Sequence, residues 1–109
     1  MDAQFDVVDL DAAAEVQVGP GCIRRDLPSR NGVRVWVVDM APGSEWPRVD
    51  VHDETGEDIL VVRGELIEGD RTIKPGSFVN FAPHSRHRPR TVTGVRLFGF
   101  NLLRQKEQS

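Results

Sequence analysis

The chain contains a single cysteine, Cys22, among its 109 residues. One thiol forms no internal disulfide and builds no thiolate zinc site, which needs several cysteines. We therefore expect Cys22 to be a buried, inert thiol, and any bound metal to use histidine and carboxylate ligands. A chain of this length has no room for two hydrophobic cores, so we expect one domain and exclude a multidomain enzyme.

Long apolar runs are also absent. The longest comprise four residues, at 35–38 and 59–62, whereas a bilayer-spanning helix needs about 20. We therefore expect no membrane span. The first residues, Met-Asp-Ala-Gln-Phe-Asp, have neither the basic start nor the apolar stretch of a secretory signal. The sequence accordingly predicts a cytoplasmic protein.

The charge balance and the missing motifs exclude further classes. The chain has 14 basic and 17 acidic residues, a net charge of −3, so it should not be drawn strongly to phosphate backbones. It contains no Ser-His-Asp set, no phosphate-binding glycine loop and no dinucleotide fingerprint. We expect a small-molecule ligand as the partner and no nucleic acid.

Glycine and proline punctuate the whole sequence. Ten Gly and seven Pro cut it into short segments, which is typical of all-β proteins. Segments rich in Val, Ile, Phe and Trp lie between these breaks, and such residues pack well in sheets. The predicted strands are residues 33–40, 59–65, 77–81 and 95–103.

No long amphipathic helix is available to cover this sheet, so it must pack on a second sheet or close on itself. The sequence predicts one antiparallel β-barrel or jelly roll over about residues 20–103. An N-terminal arm (1–19) precedes it and a polar tail (104–109) follows. Residues 9–18 are left open, since their apolar content is too thin for a stable helix. Inward side chains from separate strands would converge in a pocket.

Apolar residues in the arm suggest a partner chain. Phe5, Val7, Val8 and Leu10 precede the first predicted barrel strand and would form a surplus edge strand. Proteins usually cover or pair such edges. We predict a homodimer.

One polar stretch stands out directly before an apolar strand. Asp50 and His52 are two residues apart and share a face if the segment is extended, and Glu57 opens the next strand. His87 follows later, on an expected antiparallel neighbour. Imidazole and carboxylate ligands suit Fe, Mn, Zn or Ni as divalent ions, and a set of this kind leaves coordination positions open.

These residues resemble the first motif of the cupins: Gly, five or six residues, His-x-His, three or four residues, Glu, six residues, Gly. Here Gly43, six residues, Asp50-Val-His52, four residues, Glu57, six residues and Gly64 follow it, with Asp50 in place of the first His. The second motif, a Pro-Gly turn, a strand, a Pro turn and a His, is matched from Pro75 to His87. Within the family the chain looks most like small single-domain cupins and the C-terminal cupin domain of zinc-binding anti-sigma factors.

The resemblance implies a β-barrel holding one divalent metal ion on His52, Glu57 and His87. Asp50 is either a fourth ligand or a hydrogen-bond partner of a ligating His. Another register stays open, in which His52 takes the first His position, Glu54 the second and Asp58 that of the Glu. A solvated acidic loop is the ordinary alternative to any metal site.

Three further side chains are candidates for the ligand pocket. Arg86 and Arg88 alternate with Arg90 and would bind an anionic substrate at the barrel mouth, although a charged outer face paired with the surplus of acidic residues is the better explanation. Trp46 lies just ahead of the metal motif and would form a pocket wall. His84 sits in a turn and is not counted as a ligand.

Three functions remain open. The first is an enzyme in which the metal binds a small oxygen-bearing substrate for dioxygenase-type or Lewis-acid chemistry, with Glu57 or Asp50 as candidate base. The second is a non-catalytic zinc-binding sensor module. The third is a degenerate barrel without metal, suggested by Asp50. The fold alone does not decide between them.

Overall fold

The computed structural model describes residues 2–102, and nearly all of the regular structure in this range is β-strand. A 3-10 helix at Leu10–Ala12 is the exception among these residues. The strands are β1 (Val16–Gly19), β2 (Cys22–Leu27), β3 (Val33–Met40), β4 (Asp50–Val51), β5 (Glu57–Gly64), β6 (Leu66–Glu68), β7 (Arg71–Ile73), β8 (Phe78–Phe81), β9 (Arg86–His87) and β10 (Val95–Leu102). The all-β prediction is confirmed. No helix in this part of the chain is long and apolar enough to cross a bilayer.

One large antiparallel sheet carries the architecture. Its six strands are ordered β1-β2-β3-β10-β5-β8. Two small antiparallel sheets, β4–β9 and β6–β7, complete the fold. Backbone bridges from Arg90 to Glu45 and to Ile67 connect the segments around these two small sheets. The result is an antiparallel jelly roll, as predicted.

The inner face of the large sheet is apolar toward one end and polar toward the other. Its buried cluster comprises Cys22, Trp36, Val38, Met40, Ile59, Val61, Leu66, Val95 and Leu97. Leu66 comes from β6, so the small sheets pack against the large one through this core. Toward the other end of the sheet, Arg34 lies opposite Asn101 and Glu57 lies opposite Phe81. The functional residues therefore stand where the apolar core stops.

Two glycines permit close approaches that this packing requires. A Cβ on Gly99 would lie 2.3 Å from the ring of Trp36, which crosses the sheet at this point. Gly64 has a φ of +72°, and a Cβ there would overlap the carbonyl oxygen of Gly94. Gly64 closes the first motif, and its conformation and tight contact explain physically why that position is glycine.

The four predicted strands are present: β3 has the predicted bounds, and the described bounds of β5, β8 and β10 differ from the predicted ones by at most two residues. β1, β2, β6 and β7 were not predicted as strands, whereas β4 and β9 correspond to the extended segment at Asp50 and its expected antiparallel neighbour at His87. The edge strand expected from Phe5 to Leu10 is wrong: residues 2–9 contain no strand, and Leu10 begins the 3-10 helix. Phe5 and Val7 stay largely exposed. Leu103 and the predicted tail, 104–109, lie outside the described residues.

Two buried arginines fasten the N-terminal segment to the outer face of the sheet. Arg96 contacts both oxygens of Asp39 at 2.7 and 2.9 Å, and Arg25 donates to Asp39 at 2.5 Å. The same guanidinium groups reach the segment before β1, where Arg96 donates to Asp11 at 2.6 Å and Arg25 donates to Glu15 at 2.9 Å. These charge-assisted bonds hold the segment across β2, β3 and β10.

The contact between Gly99 and Trp36 predicts a steric coupling. We expect Gly99→Ala to lower the free energy of unfolding by about 1–3 kcal/mol, because the new methyl group meets the indole in a packed core. In a Trp36→Leu background, which lacks the colliding ring atoms, the same substitution should cost less. Urea denaturation of the four proteins measures this coupling, and equal costs in both backgrounds would contradict it.

Candidate metal centre

A two-residue strand pair brings the two sequence motifs together. In the β4–β9 sheet Asp50 lies directly opposite His87, and Val51 lies opposite Arg86. The backbone N–H of His52 donates to the carbonyl of Ser85 at 2.9 Å, which extends the pairing by one residue. The carboxylate and imidazole that these strands carry therefore face the same space from opposite strands.

Four side chains converge at this point. One potential ligand atom from each of Asp50, His52, Glu57 and His87 lies within 4.8 Å of the other three. His52 is only 5% exposed, and the other three are half-buried. The structure thus brings together the residues that the sequence nominated as ligands.

The imidazole nitrogens fit a cation better than they fit one another. Nε2 of His52 and Nε2 of His87 are both buried without a hydrogen-bond partner within residues 2–102. The Nε2 atom of His87 lies 3.3 Å from a carboxylate oxygen of Asp50, but this contact is not aligned as a hydrogen bond. Buried polar atoms are rarely left unpaired, and two such nitrogens beside two carboxylates form a donor set that suits a divalent transition metal.

Glu68 orients one of these imidazoles, and the sequence reasoning missed it. Its carboxylate lies 2.8 Å from Nδ1 of His87. A carboxylate at Nδ1 fixes the tautomer in which Nε2 is free to bind a metal, a common arrangement for ligating histidines. Glu68 lies in the short stretch between the two motifs, after Gly64 and before Pro75, and belongs to neither. Only the packing of β6 against β9 reveals its role.

Burial controls the protonation of His52 and Glu57. Burial lowers the pKa of His52, so this imidazole is neutral near pH 7. Its contacts of 3.6 Å to Glu57 and 3.9 Å to Asp50 are therefore not ion pairs at that pH. Burial, reinforced by the negative charge of Asp50, raises the pKa of Glu57 to about 7. A bound cation would favour the ionised carboxylate.

The pKa of His87 shifts in the opposite direction to that of His52. Burial disfavours its charged form, but the carboxylates of Asp50 and Glu68 outweigh this and raise its pKa to about 9. The adjacent His87 also holds the pKa of Asp50 below its usual value, against the effect of burial. Without a metal, the site thus keeps a proton on His87 where a cation would otherwise neutralise the carboxylates.

An aromatic side chain covers one side of the cluster. The Phe81 ring stacks on His87 with centroids 4.2 Å apart and lies 5.0 Å from the centre of the His52 ring. Phe81 faces inward from β8 opposite Glu57. It limits the motion of both imidazoles and excludes water from their shared side.

The cluster opens into a cavity of about 300 Å³ between the large and small sheets. Its wall includes Trp46. It does not include Arg86 or Arg88. Arg88 donates instead to the backbone oxygen of Trp46 at 2.9 Å and pairs with Glu45 at 3.0 Å, while Arg86 is exposed on β9. The arginines that line the cavity are Arg24, Arg34 and Arg48.

The alternative ligand residues lie outside the cluster. Glu54 is exposed in the loop between β4 and β5. Asp58 follows Glu57 on β5, so it points to the outer face, where it accepts a hydrogen bond from Asn80. Asp53 accepts from the backbone and hydroxyl of Thr55 and shapes the turn. His84 has a φ of +63° in an exposed turn and takes no part in the cluster.

The raised pKa of His87 predicts that the metal-free protein loses stability as pH rises. Its usual pKa is 6.5 and its folded value is about 9, so the folded state holds a proton that the unfolded state releases between these values. We expect the free energy of unfolding to fall by about 1–3 kcal/mol between pH 7 and pH 9. Urea denaturation after chelation measures this. His87→Gln should flatten the dependence, and an unchanged slope in that variant would contradict the assignment.

No family profile matches the chain, and no curated protein matches its sequence.

Solved structures match it closely in fold. An RmlC-like cupin from Shewanella frigidimarina superposes with a TM-score of 0.74 at 20% identity, over 96% of this chain and 97% of that chain. The structure of Rhodobacter sphaeroides SigE in complex with the anti-sigma ChrR gives 0.74 at 16% identity, over 85% of this chain and 51% of the other, so this chain spans about half of that length. An acetylacetone dioxygenase from Acinetobacter johnsonii gives 0.74 at 11% identity, over 94% of this chain and 76% of that chain. Together with the jelly-roll topology, these matches show that the chain has the fold of the cupin superfamily.

Proposed function

We propose that the chain holds one divalent metal ion, Fe, Zn, Mn or Ni, on His52, Glu57 and His87, with Asp50 as a fourth contact. The observation that carries this proposal is the pair of buried, unpaired imidazole nitrogens within a four-residue donor set. Asp50 differs from the usual histidine of the cupin motif, but its position opposite His87 places a carboxylate oxygen within reach of the same ion.

We further propose that the site binds a small oxygen-bearing molecule and acts on it. A metal at this position would supply either dioxygen chemistry or Lewis-acid polarisation of a carbonyl. The chain's own residues shape the reaction: Phe81 and the buried imidazoles exclude water from one side. Glu57, whose pKa lies near 7 without a metal, is suited to accept or return a proton if its carboxylate leaves the ion. The structural match to a dioxygenase supports this proposal at the level of the fold.

The second candidate function is a non-catalytic sensor module that binds zinc and a ligand. The structural match to the SigE–ChrR complex favours it. The same four side chains would bind the metal, which would stabilise a conformation that a partner protein recognises. Elemental composition separates the two candidates: iron or manganese favours oxygen chemistry, whereas zinc fits the sensor or a Lewis acid.

A homodimer remains part of the proposal, with a different surface as its basis. The outer face of the large sheet exposes apolar side chains on three neighbouring strands. They are Leu60 and Val62 on β5, Phe78 on β8, and Phe100 and Leu102 on β10. Leu60 lies directly opposite Phe78. A patch of this kind is typical of an interaction surface. A cytoplasmic location and the lack of a nucleic-acid partner stay predictions of the sequence.

The proposal predicts a metal content near one ion per chain. Elemental analysis of protein purified without chelator or added metal measures it. We expect His87→Ala to lose most of the metal, because β9 contributes no other ligand. Glu68→Ala should weaken metal affinity by about 10- to 100-fold, since it leaves the imidazole unoriented. Asp50→Asn should cost less than His87→Ala if Asp50 only hydrogen-bonds a ligand.

His84→Asn is the matched control for these variants. It removes a neighbouring imidazole outside the cluster, and asparagine tolerates the positive φ at this turn. Metal content should stay unchanged. If His84→Asn lost the metal while His87→Ala kept it, the assignment would be wrong, and a wild-type protein with no metal would leave the degenerate barrel as the answer.

The exposed face predicts which substitution separates the copies. Sedimentation should show a mass near twice 12.2 kDa for the wild type at micromolar concentration. Phe78→Glu should shift it toward the monomer, because it places a charge in the apolar patch. Phe5→Glu, at another largely exposed phenylalanine in the N-terminal segment, should leave the dimer intact. A monomeric wild type would refute the dimer.

A further inference from the structure

Three guanidinium groups share the cavity with the metal centre. Arg24 on β2, Arg34 on β3 and Arg48 in the loop before β4 all line it. The apolar core could have continued along this wall, and three cations there need a reason. One is charge balance with neighbouring acids, and the other is a negatively charged ligand.

Neighbouring acids account for them only in part. The positive charges of Arg34 and Arg48 act on Glu57 and Asp50, but no hydrogen bond joins these pairs within residues 2–102. Arg24 forms two contacts with Asp26, at 3.1 and 3.4 Å, and this pair is satisfied. Arg34 reaches the same carboxylate only at 4.0 Å, and its side chain is 46% exposed. Two guanidinium groups thus share one carboxylate, and Arg34 is the member held weakly. This long contact leaves N–H groups of Arg34 available at the cavity wall.

A neutral donor stands beside Arg34. Asn101 lies directly opposite Arg34 on β10 and also lines the cavity. The indole N–H of Trp36 donates to its side-chain oxygen at 3.1 Å, so the amide oxygen is occupied and the NH₂ group is the end left for a ligand. Arg34 and Asn101 therefore offer only N–H donors on this side, which suits an acceptor without protons of its own.

Arg34 and Asn101 lie close enough to the metal centre for one small molecule to contact both. Phe100 pairs with Asp58, so Asn101 and Glu57 follow at the same end of β10 and β5. Arg34 stands one strand further on, and two strand spacings amount to about 10 Å. The cavity of about 300 Å³ is at the lower end of the range for ligand sites. It fits a molecule of a few carbon atoms rather than a large one.

We propose that the ligand of this cavity is a small organic anion whose oxyanion group, carboxylate or phosphate-like, is held by Arg34 and Asn101 while its other end lies at the metal centre. This inference rests on the proposed function in placing that other end. A guanidinium matches an oxyanion with two parallel hydrogen bonds. A neutral molecule of the same shape cannot form this charge-assisted pair, so Arg34 determines specificity. The sequence predicted that Arg86 and Arg88 bind the anion, whereas in this proposal Arg34 on β3 does so.

Three probes of similar size test the charge requirement. They are malonate, its neutral diamide malonamide, and phosphonoacetate, in which a phosphonate replaces one carboxylate. Calorimetric titration of the metal-loaded protein should show malonate or phosphonoacetate binding at least about tenfold more tightly than malonamide. The tighter of the two anions identifies the oxyanion that the site prefers. Equal affinity for malonate and malonamide would overturn the proposal.

Arg34→Met tests the residue. It should weaken binding of the preferred anion by about tenfold or more and leave malonamide affinity and metal content unchanged. Arg30→Met is the matched control, because Arg30 is exposed, pairs with Asp6 and lies outside the cavity. Wild-type anion affinity in a metal-loaded, folded Arg34→Met protein would refute the assignment, as would a loss found in Arg86→Met instead.

Metal content separates this inference from the proposed function. If the wild type retains no metal, the proposed metal site is refuted, but Arg34 and Asn101 are still present as hydrogen-bond donors. The metal-free protein is then still expected to bind the anion weakly, with the same dependence on Arg34. Binding that is absent from both forms, or that does not depend on Arg34, overturns the inference alone.

Discussion

The site depends on a strand pair of only two residues on each side. The β4–β9 pairing sets Asp50 against His87 and so joins the two sequence motifs. Once these strands are in register, the chain after β4 turns through Asp53 and Thr55 and enters β5 at Glu57. The N–H of His52 then binds the carbonyl of Ser85. A shift of one residue would turn either side chain to the opposite face, so the register is as important as the identity of the ligands.

The large sheet supports this pairing without forming it. Its apolar core, which includes Trp36, Ile59 and Leu97, holds β3, β5 and β10 together. This packing fixes the position of Glu57 at the start of β5. The small sheets then bring β6 and β9 over the open end, which places Glu68 behind His87. Stability and chemistry therefore occupy different parts of the same inner face. The buried titratable groups sit where tight apolar packing has already ended, and water or a ligand has room.

Sequence patterns predicted the strands that carry apolar side chains on a regular face. β3, β5, β8 and β10 follow that rule. β2 does not, because Arg24 faces the cavity and Arg25 is buried against acidic residues on the outer face, so neither phase of the strand reads as apolar. The roles of Arg34, Arg48 and Glu68 were likewise not predictable from the sequence pattern. Their roles depend on neighbours brought close by folding, whereas Asp50, His52, Glu57 and His87 could be recognised from spacing.

On the outer face of the large sheet, two buried arginines need more negative charge than the sheet itself supplies. Arg25 and Arg96 are both less than a tenth exposed, yet Asp39 supplies a single negative charge between them. Asp11 and Glu15 contribute the rest. The segment before β1 is thus a counter-ion for the sheet rather than an appendage. A shortened version beginning at β1 would leave these two cations with Asp39 as their shared anion, and homologues that lack this segment should have replaced one of the arginines by a neutral residue.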